Sequence, residues 1–141
     1  MRNFETNESM TVRFDPIAGK TAEIIESLMQ SEDMTDNPEL QFKIRLCIEE
    51  VVENIVSYAY QNGEGFVEVG TQLHDGMLEL SFKDAGVRFN PLAKADPDIT
   101  LAAEDRPIGG LGIFLCKQLM DDIRYDYSDG NNILLMYKKV Q

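Results

Sequence analysis

The pattern of apolar and polar positions along the chain predicts a series of strands and helices. Residues 10–14 alternate between apolar and polar side chains, which is typical of a half-buried strand. Asp15-Pro16 then supplies a helix N-cap and a first-turn proline, and apolar residues at helical spacing continue to about residue 31. Asn37-Pro38 repeats this signal at the start of a long helix over about 38–61.

The second half of the chain carries the remaining elements. Strands at about 65–73 and 77–84 flank the turn His74-Asp75-Gly76, and a second pair, at about 123–128 and 133–139, flanks Asp129-Gly130. Between the two pairs, an apolar helix runs from the glycines at 109–112 to Asp122. The resulting order, β-α-α-β-β-loop-α-β-β, predicts an α/β two-layer sandwich in which the helices cover one face of a mixed, mostly antiparallel sheet.

Length and charge limit the classes of function. The 141 residues suffice for one domain, which we place at 10–141 behind a flexible tail at 1–9. Asp plus Glu (25) exceed Lys plus Arg (13), and the charge of −12 argues against nucleic acid and anionic membranes as partners. The sequence shows no signal-peptide pattern and no apolar run of bilayer-spanning length, so we expect a soluble, cytoplasmic protein.

Cysteine and histidine offer little material for a metal site. Cys47 and Cys116 both lie in apolar stretches, which favours two reduced core thiols, although one disulfide between them stays open. The only histidine, His74, falls in a predicted turn, where a solvated side chain is expected. These three residues alone do not make a structural zinc site. P-loop and dinucleotide-binding fingerprints are also absent from the sequence.

The long helix carries a polar pair beside its apolar face. At about 100° per residue, the core-facing stripe consists of Ile44, Cys47, Ile48, Val51, Ile55, Tyr58 and Ala59. Glu49 and Glu53 lie toward the opposite side, as solvated helix positions do. Glu50 and Asn54 stack one turn apart at the edge of the stripe. They are either an exposed polar pair or a functional one, in which the carboxylate is a general base and the amide oxygen binds magnesium.

Two glycine-containing segments are the other candidate sites. Asp84 ends an apolar strand and Gly86 follows it, a pattern that either makes a plain turn or lets the carboxylate accept a hydrogen bond from a nucleobase amine. The segment Gly109-Gly110-Leu111-Gly112 opens the last helix, where its N–H groups either permit tight packing or bind an anion. Arg106, just before it, either reaches a terminal phosphate or caps a solvated loop.

The order and context of these segments resemble the GHKL superfamily of ATP-binding domains, which includes histidine kinases and type II topoisomerases. Residues 50–54 (EVVEN), 84–91 (DAGVRFNP) and 108–112 (IGGLG), with Met120-Asp121-Asp122, are most similar to its anti-sigma-factor serine/threonine kinase branch. The resemblance covers about residues 10–139 and implies a Bergerat-type ATP-binding fold.

The resemblance implies a role for each candidate residue. Glu50 matches the family's general base, and Asn54 matches its Mg²⁺ ligand. Asp84 and Gly86 match the positions that hold adenine. Gly109, Gly110 and Gly112 match the positions that cover the ATP phosphates. Leu111 and Arg106 are counted with them as ATP-binding candidates. Residues of about 90–108 match the ATP lid.

Three positions depart from the family pattern. Arg88 replaces the second glycine of the usual D-x-G-x-G segment, and Tyr58 replaces a histidine that often follows the magnesium asparagine. Asn131-Asn132 stands where a threonine is frequent near the last hairpin.

The function implied by the resemblance is that of an ATP- and Mg²⁺-dependent serine/threonine protein kinase. Such a protein phosphorylates a small anti-sigma-factor antagonist and binds a sigma factor, and the resemblance is compatible with a homodimer. Two alternatives remain at this point. One is a catalytically silent regulatory module that binds ATP or ADP, and the other is a detached histidine-kinase-like ATPase domain.

Overall fold

The chain forms one antiparallel sheet with helices packed against it. The structure, a computed structural model, describes residues 10–93 and 111–141. Its elements are β1 (Met10–Phe14), α1 (Thr21–Met29), α2 (Pro38–Tyr58), β2 (Val67–His74), β3 (Met77–Asp84), α3 (Leu111–Leu119), β4 (Asp122–Ser128) and β5 (Asn131–Lys139), with a short 3₁₀ turn at Pro91–Ala93. The strand order is β1-β2-β3-β5-β4, and all four pairings among these strands are antiparallel. The predicted sandwich and element order are confirmed.

The core lies between the helices and one face of the sheet. Alternate residues of the two central strands are buried on this face, namely Leu78, Leu80, Phe82, Leu134 and Met136. They pack in one cluster with residues of α1, α2 and α3, which include Ile24, Leu28, Ile44, Ile48 and Cys116. Because side chains alternate along a strand, this pattern fixes the register of β3 against β5.

The start of α2 follows from its capping residues, as predicted. The Asn37 side-chain oxygen accepts the backbone N–H groups of Glu39 at 2.9 Å and Leu40 at 3.1 Å. Pro38 occupies the first helical position, where no N–H is needed. These contacts satisfy donors that the helix itself cannot pair.

The end of α2 differs from the prediction. The helix stops at Tyr58 rather than near residue 61, and Tyr58 is 72% exposed instead of lying in the core. The last turn of α2 extends past the core toward the end of β3, where the carbonyl oxygen of Ala59 accepts the N–H of Val87 at 2.9 Å. Val52, which the predicted stripe omitted, is buried.

The prediction that α1 begins at Asp15-Pro16 is wrong. Gly19 has a φ of 74°, and the N–H of Ala18 donates to the carbonyl oxygen of Gly63, so the chain makes a turn before the helix. Lys20 is the N-cap and makes no side-chain capping bond. Ile17 is fully buried although it lies outside the helix, which explains why it fitted the predicted stripe.

Both hairpins turn on an Asp-Gly pair. The φ angles are 51° and 79° at Asp75-Gly76 and 54° and 80° at Asp129-Gly130, as a two-residue type I′ turn requires. β5 therefore begins at residue 131, two residues earlier than predicted. α3 ends at Leu119 rather than Asp122, because the N–H of Asp121 already donates to the carbonyl oxygen of Tyr137 in the sheet.

Two predicted features fall outside the described residues. These are the tail at 1–9 and the lid segment from residue 94 onward. Within the described part of the chain, no helix has both the length and the apolar character that a bilayer-spanning segment needs.

Candidate functional site

The polar pair on α2 forms one hydrogen-bonded unit. The amide nitrogen of Asn54 donates to Oε2 of Glu50 over 3.0 Å, and both side chains are half-buried. This bond uses the nitrogen of the amide and leaves its oxygen for another partner. A carboxylate and an amide oxygen thus stand side by side, as the sequence predicted.

The neighbouring carboxylates of α2 are directed elsewhere. Glu49 accepts a hydrogen bond from Arg45 at 3.1 Å, and Arg45 also binds Glu26 at 2.6 Å. The hydrogen bonds that Arg45 donates to Glu26 and Glu49 raise the pKa of its guanidinium. Glu53 is exposed to solvent. Glu50 is therefore the carboxylate of this cluster that faces the interior of the site.

Gly112 allows α3 to approach Glu50 closely. A Cβ atom at Gly112 would overlap the carboxyl group of Glu50. Since α3 begins at Leu111, the carboxylate lies against the first turn of that helix. The N–H groups of a first turn have no partner within the helix and favour negative charge. The first turn of α3 and the Glu50–Asn54 pair therefore meet at one place.

Asp84 closes β3 with a buried carboxylate. Its Oδ1 atom accepts two hydrogen bonds, from the Asn132 amide nitrogen at 3.0 Å and from the Gly86 N–H at 2.9 Å. Burial raises the pKa of Asp84, and these two bonds oppose that effect. Neither bond uses Oδ2, so this oxygen is the acceptor left for a ligand.

Asn132 is a site residue that the sequence analysis missed. Its amide nitrogen also donates to the carbonyl oxygen of Val87 at 2.9 Å, and its oxygen accepts the N–H of Phe89 at 3.1 Å and the hydroxyl of Tyr125. All four hydrogen-bonding positions of the amide are therefore used. The alternation along β5 places residue 132 on the core face, directly opposite Asp84, but the predicted strand began only at residue 133.

Gly86 joins the end of β3 to the end of α2. A Cβ atom here would overlap the carbonyl oxygen of Ala59 and would lie 2.7 Å from the Ala59 Cβ. The Tyr60 hydroxyl accepts the N–H of Ala85 at 2.8 Å and donates to the carbonyl oxygen of Phe66 at 2.6 Å. Burial raises the pKa of Tyr60. The segment after Asp84 is thus fixed on the same helix that carries Glu50 and Asn54.

The structure brings together only part of the predicted site. Glu50, Asn54 and Gly112 form one cluster, and Asp84 and Gly86 form a second at the end of α2. Leu111 is the first residue of α3. Three further predicted residues lie outside the described part of the chain, namely Arg106, Gly109 and Gly110.

The donor chemistry of the two clusters fits a nucleotide with its metal ion. A buried carboxylate with one unused oxygen suits a ligand that presents an amine, as a nucleobase does. Carboxylate and amide oxygens are ligands that Mg²⁺ prefers. Residues 10–93 and 111–141 contain no group of three His, Cys, Asp or Glu side chains that could hold a metal. Phosphate oxygens would have to complete such a site, which is how Mg²⁺ binds in many ATP-using proteins.

Arg88, the main departure from the family pattern, lies beside the site. Its guanidinium stacks 4.6 Å from the centre of the Tyr127 ring on the β4–β5 hairpin. The side chain is exposed and lies on this ring.

Comparison with known proteins agrees with this architecture. The sequence profile of the histidine kinase-like ATPase domain matches residues 17–138. Over 96 residues the chain is 34% identical to the serine-protein kinase RsbW of Bacillus cereus (strain AH820), of Bacillus anthracis and of Bacillus mycoides (strain KBAB4). The match covers 65% of this chain and spans about 60% of the length of these relatives. Because the family profile matches residues 17–138, the chain belongs to the histidine kinase-like ATPase family.

Proposed function

We propose that this protein is an ATP-dependent serine/threonine protein kinase that acts as an anti-sigma-factor-type regulator in the cytoplasm. The observation that carries the proposal is the Glu50–Asn54 pair, hydrogen-bonded over 3.0 Å and held against Gly112. The similarity to proteins named serine-protein kinase RsbW supports it. We assign the activity to a single domain at 10–141.

The adenine base is proposed to bind at the end of β3. Oδ2 of Asp84 accepts a hydrogen bond from the exocyclic amine, because Oδ1 is already bonded to Asn132 and Gly86. Close packing of Gly86 on Ala59 holds this segment in place beside the proposed base. This arrangement selects a base that carries an amine over one that carries a carbonyl oxygen at the same position.

The phosphates are proposed to bind at the start of α3. The N–H groups around Leu111 and Gly112 favour negative charge. Arg106, Gly109 and Gly110 complete this part of the proposed site, and residues of about 90–108 form the proposed lid over the nucleotide. Asn54 and the phosphates would hold Mg²⁺, which supplies charge neutralisation on the transferred group when bound.

Glu50 is the proposed general base. The hydrogen bond from Asn54 fixes one of its two carboxylate oxygens, so the other is positioned to accept the proton of a serine hydroxyl. Phosphoryl transfer needs little more from the protein than this positioning and the stabilisation of charge.

The proposed protein partners are a small anti-sigma-factor antagonist, as phosphoryl acceptor, and a sigma factor, as the protein bound. The charge of −12 disfavours a direct contact with nucleic acid. A homodimer is the proposed assembly.

Transfer of labelled phosphate tests the proposal. The chain is incubated with Mg²⁺, with ATP labelled on the γ-phosphate, and with small proteins encoded near its gene. We expect a labelled serine on one of them. Tight ATP binding without labelling of any partner would instead support a silent nucleotide-binding module. Failure to bind ATP would contradict both functions.

A further inference from the structure

Two thiols face each other between α2 and α3. Cys47 on α2 and Cys116 on α3 are each 1% exposed, and both are free. The thiol of Cys116 donates to the carbonyl oxygen of Cys47, with Sγ 3.9 Å from that oxygen. A sulfur this close to the backbone of the other helix shows that the two helices approach each other closely here. A disulfide between helices requires such an approach.

The thiol pair lies directly beside the candidate catalytic cluster. Cys47 precedes Glu50 by one turn of α2, and Cys116 follows Gly112 by one turn of α3. Glu50 and Gly112 are themselves in contact. The two contacts are therefore successive layers of one helix–helix interface.

The charges around the pair distinguish its two members. The neighbouring Cys116 thiol lowers the pKa of Cys47, and the ammonium of Lys138 lowers it further. Burial and the charge of Glu50 oppose this effect. Lys138 is held in place by donating to the carbonyl oxygen of Leu119 at 2.7 Å. The neighbouring Cys47 side chain and burial raise the pKa of the Cys116 thiol. Because the Cys116 thiol donates to the Cys47 carbonyl oxygen, Cys116 keeps its proton and Cys47 is the thiol placed to ionise.

We propose that Cys47 and Cys116 form a reversible oxidation site, which a small uncharged peroxide converts into a disulfide that locks α3 onto α2. The Cys47 thiolate attacks one oxygen of hydrogen peroxide, forming a sulfenic acid and releasing hydroxide, which takes up the proton that the thiol had lost. The Cys116 thiol then attacks the sulfenic sulfur and expels water. Two thiols and one peroxide give one disulfide and two waters.

The burial of both thiols selects the oxidant and the outcome. A small neutral molecule reaches a core position through local opening of the fold, whereas a bulky disulfide such as oxidised glutathione does not. The closing bond brings the two sulfurs to about 2.05 Å, which draws the helices together one turn from Glu50. Dithiol reductants reverse the bond by thiol–disulfide exchange.

Mapping of the cysteines after peroxide treatment tests the site. The sequence contains two cysteines, so an intramolecular disulfide can join only this pair. We expect the treated chain to lose both free thiols, to run as a monomer on a non-reducing gel and to give one cross-linked peptide pair. Treatment with dithiothreitol should restore both thiols. Thiols that stay free, or covalent dimers in place of the internal disulfide, would overturn the proposal.

Cys116→Ala and Cys47→Ala are the matched variants, with folding checked by circular dichroism. In the wild-type chain, oxidation should raise the unfolding midpoint in urea, because a disulfide constrains the unfolded chain. It should also slow phosphoryl transfer at least ~10-fold, because a small displacement of catalytic groups is costly. Neither variant should show a dithiothreitol-reversible change. An equal reversible change in a variant would overturn the proposal. The mapping and the urea midpoint do not depend on the proposed kinase activity, so a chain without that activity still tests the disulfide.

Discussion

The amide nitrogen of Asn132 donates to Oδ1 of Asp84 over 3.0 Å, directly across the pairing of β3 with β5. The same amide holds the backbone of Val87 and Phe89, so the residue that orients the carboxylate also fixes the segment that follows it. Burial nevertheless raises the pKa of Asp84. The charge of Asp84 therefore lowers stability, and its second oxygen is the proposed acceptor for the adenine amine.

Asp84→Asn should abolish tight nucleotide binding while the fold is kept. An amide oxygen can still accept from Asn132 and Gly86, but its nitrogen then occupies the position of Oδ2 and cannot accept from the adenine amine. We expect the ADP affinity, measured by titration calorimetry, to fall ~10-fold to 100-fold, as for the loss of a hydrogen bond to a charged group. An affinity within a factor of about two of wild type would contradict this role.

The same substitution should change the pH dependence of stability. The pKa of Asp84 in the folded chain is raised above the ordinary value of 3.8. Its contribution to stability is thus fully present below that value and is lost as the pH rises through the folded pKa. Asp84→Asn should therefore be more stable than wild type at neutral pH, and the difference should shrink toward about pH 4 in urea unfolding. A difference that grows on acidification would mean that the folded pKa is lowered.

Asn132→Ala should weaken both stability and binding. The substitution removes the hydrogen bonds of Asn132 to the carbonyl oxygen of Val87, to the N–H of Phe89 and to Asp84. We expect the free energy of unfolding in urea to fall by about 1–3 kcal/mol. Asn132→Thr is the matched control, because its hydroxyl can still donate to Asp84. It should keep more of the ADP affinity than the alanine variant, and equal affinities would contradict the role of the Asn132–Asp84 bond.

Local sequence signals predicted the elements of the fold well. Asn37-Pro38 fixed the start of α2 through capping, and the two Asp-Gly pairs fixed the hairpins through their positive φ angles. The start of α1 was missed because it depends on a contact between Ala18 and Gly63, which no local pattern contains.

Only those contacts of the candidate site that lie within one helix could be predicted from the sequence. Glu50 and Asn54 are one turn apart on a helix, so their contact follows from helix geometry. The Asp84–Asn132 contact depends on the register of β3 against β5, and the predicted start of β5 at residue 133 left Asn132 out of the strand. The contact of Glu50 with Gly112 depends on how closely α2 and α3 pack, which is a long-range property of the fold.

Gly86→Ala should destabilise the chain. A Cβ at Gly86 meets the backbone carbonyl of Ala59, which cannot move without disturbing the end of α2. We expect the free energy of unfolding to fall by about 1–3 kcal/mol. Wild-type stability of this variant would show that the end of α2 adjusts freely.

Gly112→Ala should leave stability unchanged or higher. The three described atoms nearest to a Cβ at Gly112 all belong to the end of the flexible Glu50 side chain. Alanine favours a helix over glycine by about 1 kcal/mol. Displacement of the Glu50 carboxylate should instead slow phosphoryl transfer ~10²-fold, as small misplacements of a catalytic group do. A stable variant with full transfer activity would contradict the importance of the Glu50–Gly112 contact.

Glu50→Gln should separate catalysis from binding. The substitution keeps the size of the side chain and a hydrogen-bonding partner for Asn54 but removes the base, so ATP should still bind while phosphoryl transfer falls ~10²-fold or more. Glu49→Gln and Glu53→Gln are the matched controls on the same helix. Glu50 lies about 40° from Asn54 around the helix axis, Glu53 about 100° and Glu49 about 140°.

The contacts of the control residues support this contrast. Glu49 is paired with Arg45, and Glu53 is exposed, so neither carboxylate shares the position of Glu50 beside Gly112 and both control variants should keep near wild-type rates. Labelled ATP with a protein acceptor measures all three rates. If Glu53→Gln were inactive and Glu50→Gln active, the base would lie on the other side of α2 and its assignment to Glu50 would be wrong. Full activity in all three variants would mean that proton transfer does not depend on this helix at all.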